Sequence, residues 1–178
     1  MTQLILLDRD GIINQDSLHY IKSVEEFILI PESIQAIAQL TKAGYTIGVA
    51  TNQSGVSRGF YTEDELAAIH LKMIQTIESV GGRIDAIDYC IHLPSEHCFC
   101  RKPKPGMLLN LAKKFSCSLN SVPFVGDRVS DIEAAYAAGA SPVMVLSSMT
   151  DLAGLKAYPE VPVYQSLAHY VDHLLSQS

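Results

Sequence analysis

A chain of 178 residues, 48% apolar and 18% charged, is long enough for one well-buried core and short for two, so a single domain spanning residues 1–178 is expected. A formal net charge of −6 excludes general affinity for nucleic acid or anionic membrane surfaces, which are gripped through Lys and Arg; any phosphate chemistry has to be local. The opening MTQLILLDRDG has no basic flank and an apolar run of only Leu4–Leu7, and no later run approaches membrane-spanning length, which points to a cytoplasmic protein.

Leu4–Leu7 predicts a short strand that runs into Asp8-Arg9-Asp10-Gly11. Pro31 suits the first turn of a helix carrying Ile34, Ile37, Ala38 and Leu40, which Gly44 stops. A second strand, Thr46–Ala50, ends in Thr51-Asn52. Thr62 and Glu65 form a capping box for a helix with Leu66, Ile69, Met73, Ile74 and Ile77, ended by Gly81-Gly82. Further strands are expected at Ile87–Ile91, Val122–Val125 and Pro142–Leu146, and further helices at 106–115, 132–138 and 167–175. Alternating strand and helix implies a parallel sheet with helices on both faces.

Three of the four cysteines and two of the six histidines fall within CIHLPSEHCFC, residues 90–100. A reducing compartment disfavours disulfides, whereas Cys90-x-His92 and Cys98-x-Cys100 offer three thiolates and an imidazole, a set typical of structural zinc. His97 competes for the histidine position, but it adjoins Cys98, where ligation strains the chain. Cys117 stands apart as a small, partly buried apolar residue, and His19, His70, His169 and His173 have no legible partners, so they are read as structural or exposed.

In open α/β sheets, ligands bind beyond the carboxyl ends of the strands. Asp8 and Asp10, Thr51 and Asn52, and Asp127 with Asp131 all follow strands and should share one crevice. Paired carboxylates at one strand end and a third from a neighbour suit Mg²⁺, a hard cation that takes oxygen ligands.

DRDG, ATNQSG, RKPKPG and VGDRVSD, in this order and each placed by a strand or the cysteine cluster, resemble the four motifs of the haloacid dehalogenase superfamily of phosphohydrolases, over Leu4 to about Pro142. TNQSG together with Cys-x-His and Cys-x-Cys-Arg-Lys-Pro is similar, more narrowly, to the D-glycero-D-manno-heptose 1,7-bisphosphate phosphatases, whose relatives include histidinol-phosphate phosphatases. The resemblance implies a Rossmann-like three-layer sandwich in which Asp8 is the nucleophile that forms an aspartyl phosphate and Asp10 the acid and base. It further implies Mg²⁺ held by Asp8, the Asp10 carbonyl and Asp127, with Thr51 and the Asn52 N–H on the phosphoryl oxygens and Lys102 balancing charge. Asp131 is expected to support Lys102 or the metal's waters. Zn²⁺ on Cys90, His92, Cys98 and Cys100 would pre-organise Arg101 and Lys102, and Asp16, Tyr20, Gln53, Ser54, Arg101 and Arg128 would line the sugar or its distal phosphate.

About forty residues separate the first and second motifs and about fifty the second and third, which leaves no room for a large cap. Ile12 stands where the family more often has Thr, and the zinc loop is short, with five residues between His92 and Cys98. The expected activity is release of the C7 phosphate of a heptose 1,7-bisphosphate by a monomer, for nucleotide-activated heptose synthesis. Histidinol-phosphate hydrolysis, or a non-catalytic zinc-stabilised phosphosugar-binding module, are the alternatives; the second would be expected to lose Asp8 or Asp10, and both are present.

Overall fold

The computed structural model describes residues 2–178. Strand β1, Gln3–Leu7, buries Ile5 and Leu7 on one face and Leu4 and Leu6 on the other, as a central parallel strand must. Helix α1, Pro31–Lys42, starts with proline in its first turn and is followed by Gly44 at φ +90°, where a side chain would be strained. Strand β2, Tyr45–Asn52, is longer than its apolar run predicts and includes Thr51 and Asn52 in the sheet. Helix α2, Glu63–Ser79, opens with the expected capping box: Thr62 Oγ1 accepts from the Glu65 N–H at 3.1 Å, and Glu65 Oε2 accepts from the Thr62 N–H at 2.7 Å.

Strand β3, Ala86–Cys90, leads into a 3₁₀ turn at Pro94–Glu96, then α3, Gly106–Lys114, and β4, Pro123–Gly126. Helix α4, Val129–Ala138, begins three residues before the apolar pattern because Asp131 accepts from the Arg128 N–H at 3.0 Å and nucleates the first turn. Strand β5, Ser141–Val145, is followed by α5, Leu152–Leu155, by β6, Val163–Tyr164, and by α6, Leu167–Ser176. Neither α5 nor β6 is long enough to show a periodicity.

The six strands are all parallel in the order β3-β2-β1-β4-β5-β6. One face packs against α1, α2 and α6 through Ile37, Leu40, Ile69, Met73 and Val171; the other packs against α3 and α4 through Leu108, Leu111 and Ala134. Full burial of Ile5, Leu6 and Leu7 contributes about 1.5–3 kcal/mol for each side chain. The direction of strand addition reverses between β1 and β4, and the Asp8 N–H, donating to Val125 O at 2.9 Å, closes that switch point. No segment between these elements forms a cap layer among the described residues, and no helix among them is long and apolar enough to cross a membrane.

Candidate active site

A cleft of about 480 Å³ opens over the carboxyl ends of β1, β2 and β4 and is lined by Asp8, Asp10, Asp16, Tyr20, Asn52, Gln53, Ser54, Arg101, Lys102, Arg128 and Asp131. Thr51 and Asp127 lie beneath this lining, almost wholly buried. The residues expected from the motifs are thus gathered at one end of the sheet, together with Met149, which the motifs do not contain. Met149 belongs to the loop after β5. The run Ser147-Ser148-Met149-Thr150 at a strand's carboxyl end was the available signal for it.

At the floor, Lys102 Nζ donates to Asp8 Oδ1 at 2.9 Å, to Ala50 O at 3.0 Å and pairs with Asp131 Oδ1 at 2.8 Å, so all three ammonium protons have acceptors. Asp131 spends its other oxygen on the N–H groups of Asp127 and Arg128, at 3.1 and 3.0 Å, which leaves it a strut between the lysine and α4. Asp127 is held by Ser147, whose hydroxyl donates to Oδ2 at 2.6 Å, and by Thr150, whose hydroxyl donates to the Asp127 carbonyl at 2.7 Å. Its Oδ1 is buried without a partner among the described residues.

Carboxylate oxygens of Asp8, Asp127 and Asp131 lie within 4.8 Å of one another. Burial, and then the charge of Asp131, raise Asp8 well above the usual carboxylate range and push Asp127 up to about 6. Crowded, buried carboxylates with one orphaned oxygen are a site that a hard divalent cation would complete. Gly11, at φ +84°, lets the chain pass this site: a Cβ there would collide with Asp127 Oδ2.

Asp10 is held apart from this cluster. Its Oδ1 accepts from Arg9 Nε at 2.9 Å, Arg9 Nη2 at 2.7 Å and Asn14 Nδ2 at 2.9 Å, whereas Oδ2 accepts only from Gln53 Nε2 at 3.0 Å. Burial acts to raise its pKa, but the Arg9 charge and these donors outweigh it, and the group lies below the usual range as a carboxylate. The same Gln53 amide donates to Thr51 Oγ1 at 2.9 Å and accepts from Tyr61 at 2.5 Å. The Gln53 side chain therefore orients Asp10 and Thr51 from its place in the cleft wall.

Asn52 pins the Lys102 backbone in both directions: its Oδ1 accepts from the Lys102 N–H at 3.0 Å and its Nδ2 donates to the Lys102 carbonyl at 3.1 Å. Along the rim, Arg128 pairs with Asp16 at 2.9 Å, Arg58 Nε reaches Ser54 Oγ at 3.4 Å, and Tyr20, at φ +65°, packs edge-on against Phe60 with ring centres 5.1 Å apart. Arg101 donates to the His92 carbonyl at 3.3 Å.

Beside the cleft, Sγ of Cys90, Cys98 and Cys100 and Nδ1 of His92 converge within 4.8 Å, with Cys90–Cys98 at 3.6 Å, Cys90–His92 at 3.5 Å, His92–Cys100 at 3.2 Å and Cys90–Cys100 closer, at 2.7 Å. The first three approach the edges of a tetrahedral metal site, and all four cysteines are free thiols. Burial raises Cys90; burial also opposes ionisation of Cys98, but the Arg101 N–H at 3.3 Å and neighbouring groups bring it down to about 7. His97 is exposed, at φ +51°, and outside the cluster. The arrangement could hold one metal ion.

A HAD-hydrolase-like family model matches residues 99–174. The chain is 47% identical over 174 residues to the D-glycero-beta-D-manno-heptose-1,7-bisphosphate 7-phosphatase of Pseudomonas putida, covering 97% of this chain and 99% of that one. It is 49% identical over 142 residues to the Pseudomonas aeruginosa protein of the same name, covering 80% of each. Among solved structures, the D,D-heptose 1,7-bisphosphate phosphatase from B. bronchiseptica, complexed with magnesium and phosphate, superposes with a TM-score of 0.93 at 41% identity over 99% of this chain and 100% of that chain.

Proposed function

Since this chain belongs to the D-glycero-beta-D-manno-heptose-1,7-bisphosphate 7-phosphatase family, we propose that it hydrolyses the C7 phosphate of that bisphosphate sugar through an aspartyl phosphate on Asp8. The observation that carries the reading is the division of labour at the cleft floor. Asp8 shares Lys102 and lies within the carboxylate cluster, while Asp10, two residues on, is turned away from that cluster by Arg9 and Asn14.

Asp8 attacks phosphorus, the bond from phosphorus to the C7 oxygen breaks, and Asp10 supplies the proton that the sugar oxygen needs to leave. Asp10 then takes a proton from the incoming water, whose oxygen attacks phosphorus and releases Asp8 and inorganic phosphate. Asp10 starts this cycle protonated, and a phosphoryl dianion beside it opposes the ionising influence of Arg9. Lys102 offsets charge on Asp8 and the phosphoryl group, Thr51 and the Asn52 N–H donate to its oxygens, and Arg101 and Arg128 receive the second phosphate.

Mg²⁺ held by Asp8, Asp127 and the Asp10 carbonyl would neutralise charge on the transferring oxygens; the orphaned Asp127 Oδ1 supports this placement. Asp131, engaged by Lys102 and the start of α4, is a support for that site. Zn²⁺ on Cys90, His92, Cys98 and Cys100 is structural, fixing the segment that bears Arg101 and Lys102. The protein works as a cytoplasmic monomer of one domain, on a small phosphorylated sugar.

Phosphate release with Mg²⁺ on the two heptose 1,7-bisphosphate anomers and on histidinol phosphate tests the reading. A kcat/KM preference for a bisphosphate is the expected result. Preference for histidinol phosphate would overturn the substrate, and no turnover of any of them would overturn the activity.

A further inference from the structure

Arg9 is fully buried, an unusual position for a guanidinium, and its charge lies over the Phe27 ring at 5.2 Å. Nε and Nη2 fork onto one oxygen of Asp10, and Nη1 points to His70 Nε2 at 3.1 Å. A guanidinium has only donors, so His70 Nε2 is the acceptor and the imidazole is neutral with its proton on Nδ1. Burial and the Arg9 charge favour the same state, lowering His70 to about 3.

His70 stands on α2, a helix fixed by its capping box and by Ile69 and Met73 in the core. The fixed helix therefore locates the imidazole, the imidazole locates the guanidinium, and the guanidinium with Asn14 engages Asp10 Oδ1 with three donors. Oδ2, with one hydrogen bond, is left for the cleft. We propose that His70 is a positioning residue for protonation of the leaving group, acting through the Arg9 fork that sets the direction of Asp10 Oδ2.

The inference rests on Asp10 being the acid of the proposed reaction. A purely structural His70 would satisfy one buried Arg9 N–H and affect every substrate alike. Misdirection of Asp10 lowers kcat/KM only for substrates whose leaving group needs a proton, because the water step, which it would slow for every substrate, follows departure of the leaving group. The sugar alkoxide needs one, and p-nitrophenolate leaves without one.

The test is the ratio of kcat/KM for heptose 1,7-bisphosphate to that for p-nitrophenyl phosphate, since kcat/KM reports events only through departure of the leaving group. This ratio cancels the amount of folded enzyme, so a variant that is partly unfolded still gives a reading. His70→Leu and His70→Met, which remove the acceptor, should lower the ratio about tenfold or more. His70→Gln, whose amide oxygen can accept from Arg9, should keep it within about twofold. Asp10→Asn should lower it furthest. An unchanged ratio in His70→Leu and His70→Met, with Asp10→Asn still reduced, overturns the proposal and leaves the reaction standing. A His70→Gln ratio as low as that of His70→Leu also overturns it. An unchanged ratio in Asp10→Asn would instead remove Asp10 as the acid, and the proposal with it.

Discussion

Asp8 has to be ionised to attack phosphorus, yet burial and three neighbouring carboxylates, Asp131, Asp127 and Asp10, oppose its ionisation. Lys102 offsets part of that cost from 2.9 Å, with its remaining protons given to Ala50 O and Asp131. Asp8→Asn keeps the shape and removes the nucleophile, so turnover of any phosphate ester should fall by at least about a thousandfold while the fold persists; phosphate release and circular dichroism on one preparation check both. The motif made Asp8 and Asp10 legible because acids two residues apart after an apolar strand are a strong local signal. Arg9, between them, carried no signal of its own: arginine is seldom buried, and its partner His70 is 61 residues away. Gln53 was legible as a cleft residue, but its direction depends on Tyr61, outside any motif.

At the scale of elements, the motifs matter through what fixes them. The segment carrying Arg101 and Lys102 is tied to the cysteine–histidine cluster by the Arg101 N–H on Cys98 Sγ and to β2 by the two Asn52 bonds. Cys98→Ser should therefore lose bound zinc, lower the melting temperature and reduce kcat at least about tenfold, as metal analysis, calorimetry and phosphate release would show. Loss of zinc without loss of stability would make the cluster dispensable to the fold. The capping box of α2 gives a milder case: Thr62→Ala should cost about 1 kcal/mol in urea unfolding, since it strips one acceptor from the helix start. Helices with caps and strands with apolar runs were readable for this reason, each having a chemical beginning or a periodicity. The two-residue β6 has neither, and the four-residue α5 has a cap, Asp151 Oδ1 accepting from the Gly154 N–H at 3.0 Å, but is too short for a periodicity; α4 starts early because the Asp131 carboxylate accepts from the backbone ahead of the apolar pattern.

Over the whole molecule, the parallel sheet collects acids at one end, and the stability of the protein has to register that. Asp127 titrates at about 6 in the folded chain against an ordinary 3.8, chiefly through burial and secondly through Asp131. Between those values the folded state binds more protons than the unfolded one, so this group's contribution falls as pH rises through the window and is fully lost above it. The penalty at neutral pH is on the order of 2–3 kcal/mol in protein freed of divalent cations. Other acids, Asp10 among them, titrate in the opposite sense, so the contribution is isolated by comparing the wild type with Asp127→Asn. Without divalent cations, the stability advantage of Asp127→Asn should grow from about pH 4 to about pH 6 and then level off. Saturating Mg²⁺ at pH 7.5 should reverse the order, because the cation binds the ionised carboxylate of the folded wild type and finds no charge on the amide. Calorimetric melts at several pH values with EDTA or Mg²⁺ measure both effects. An advantage independent of pH would overturn the raised titration of Asp127, and a Mg²⁺ shift as large in Asp127→Asn as in the wild type would remove Asp127 from the metal site and leave its carboxylate only the hydrogen bond from Ser147.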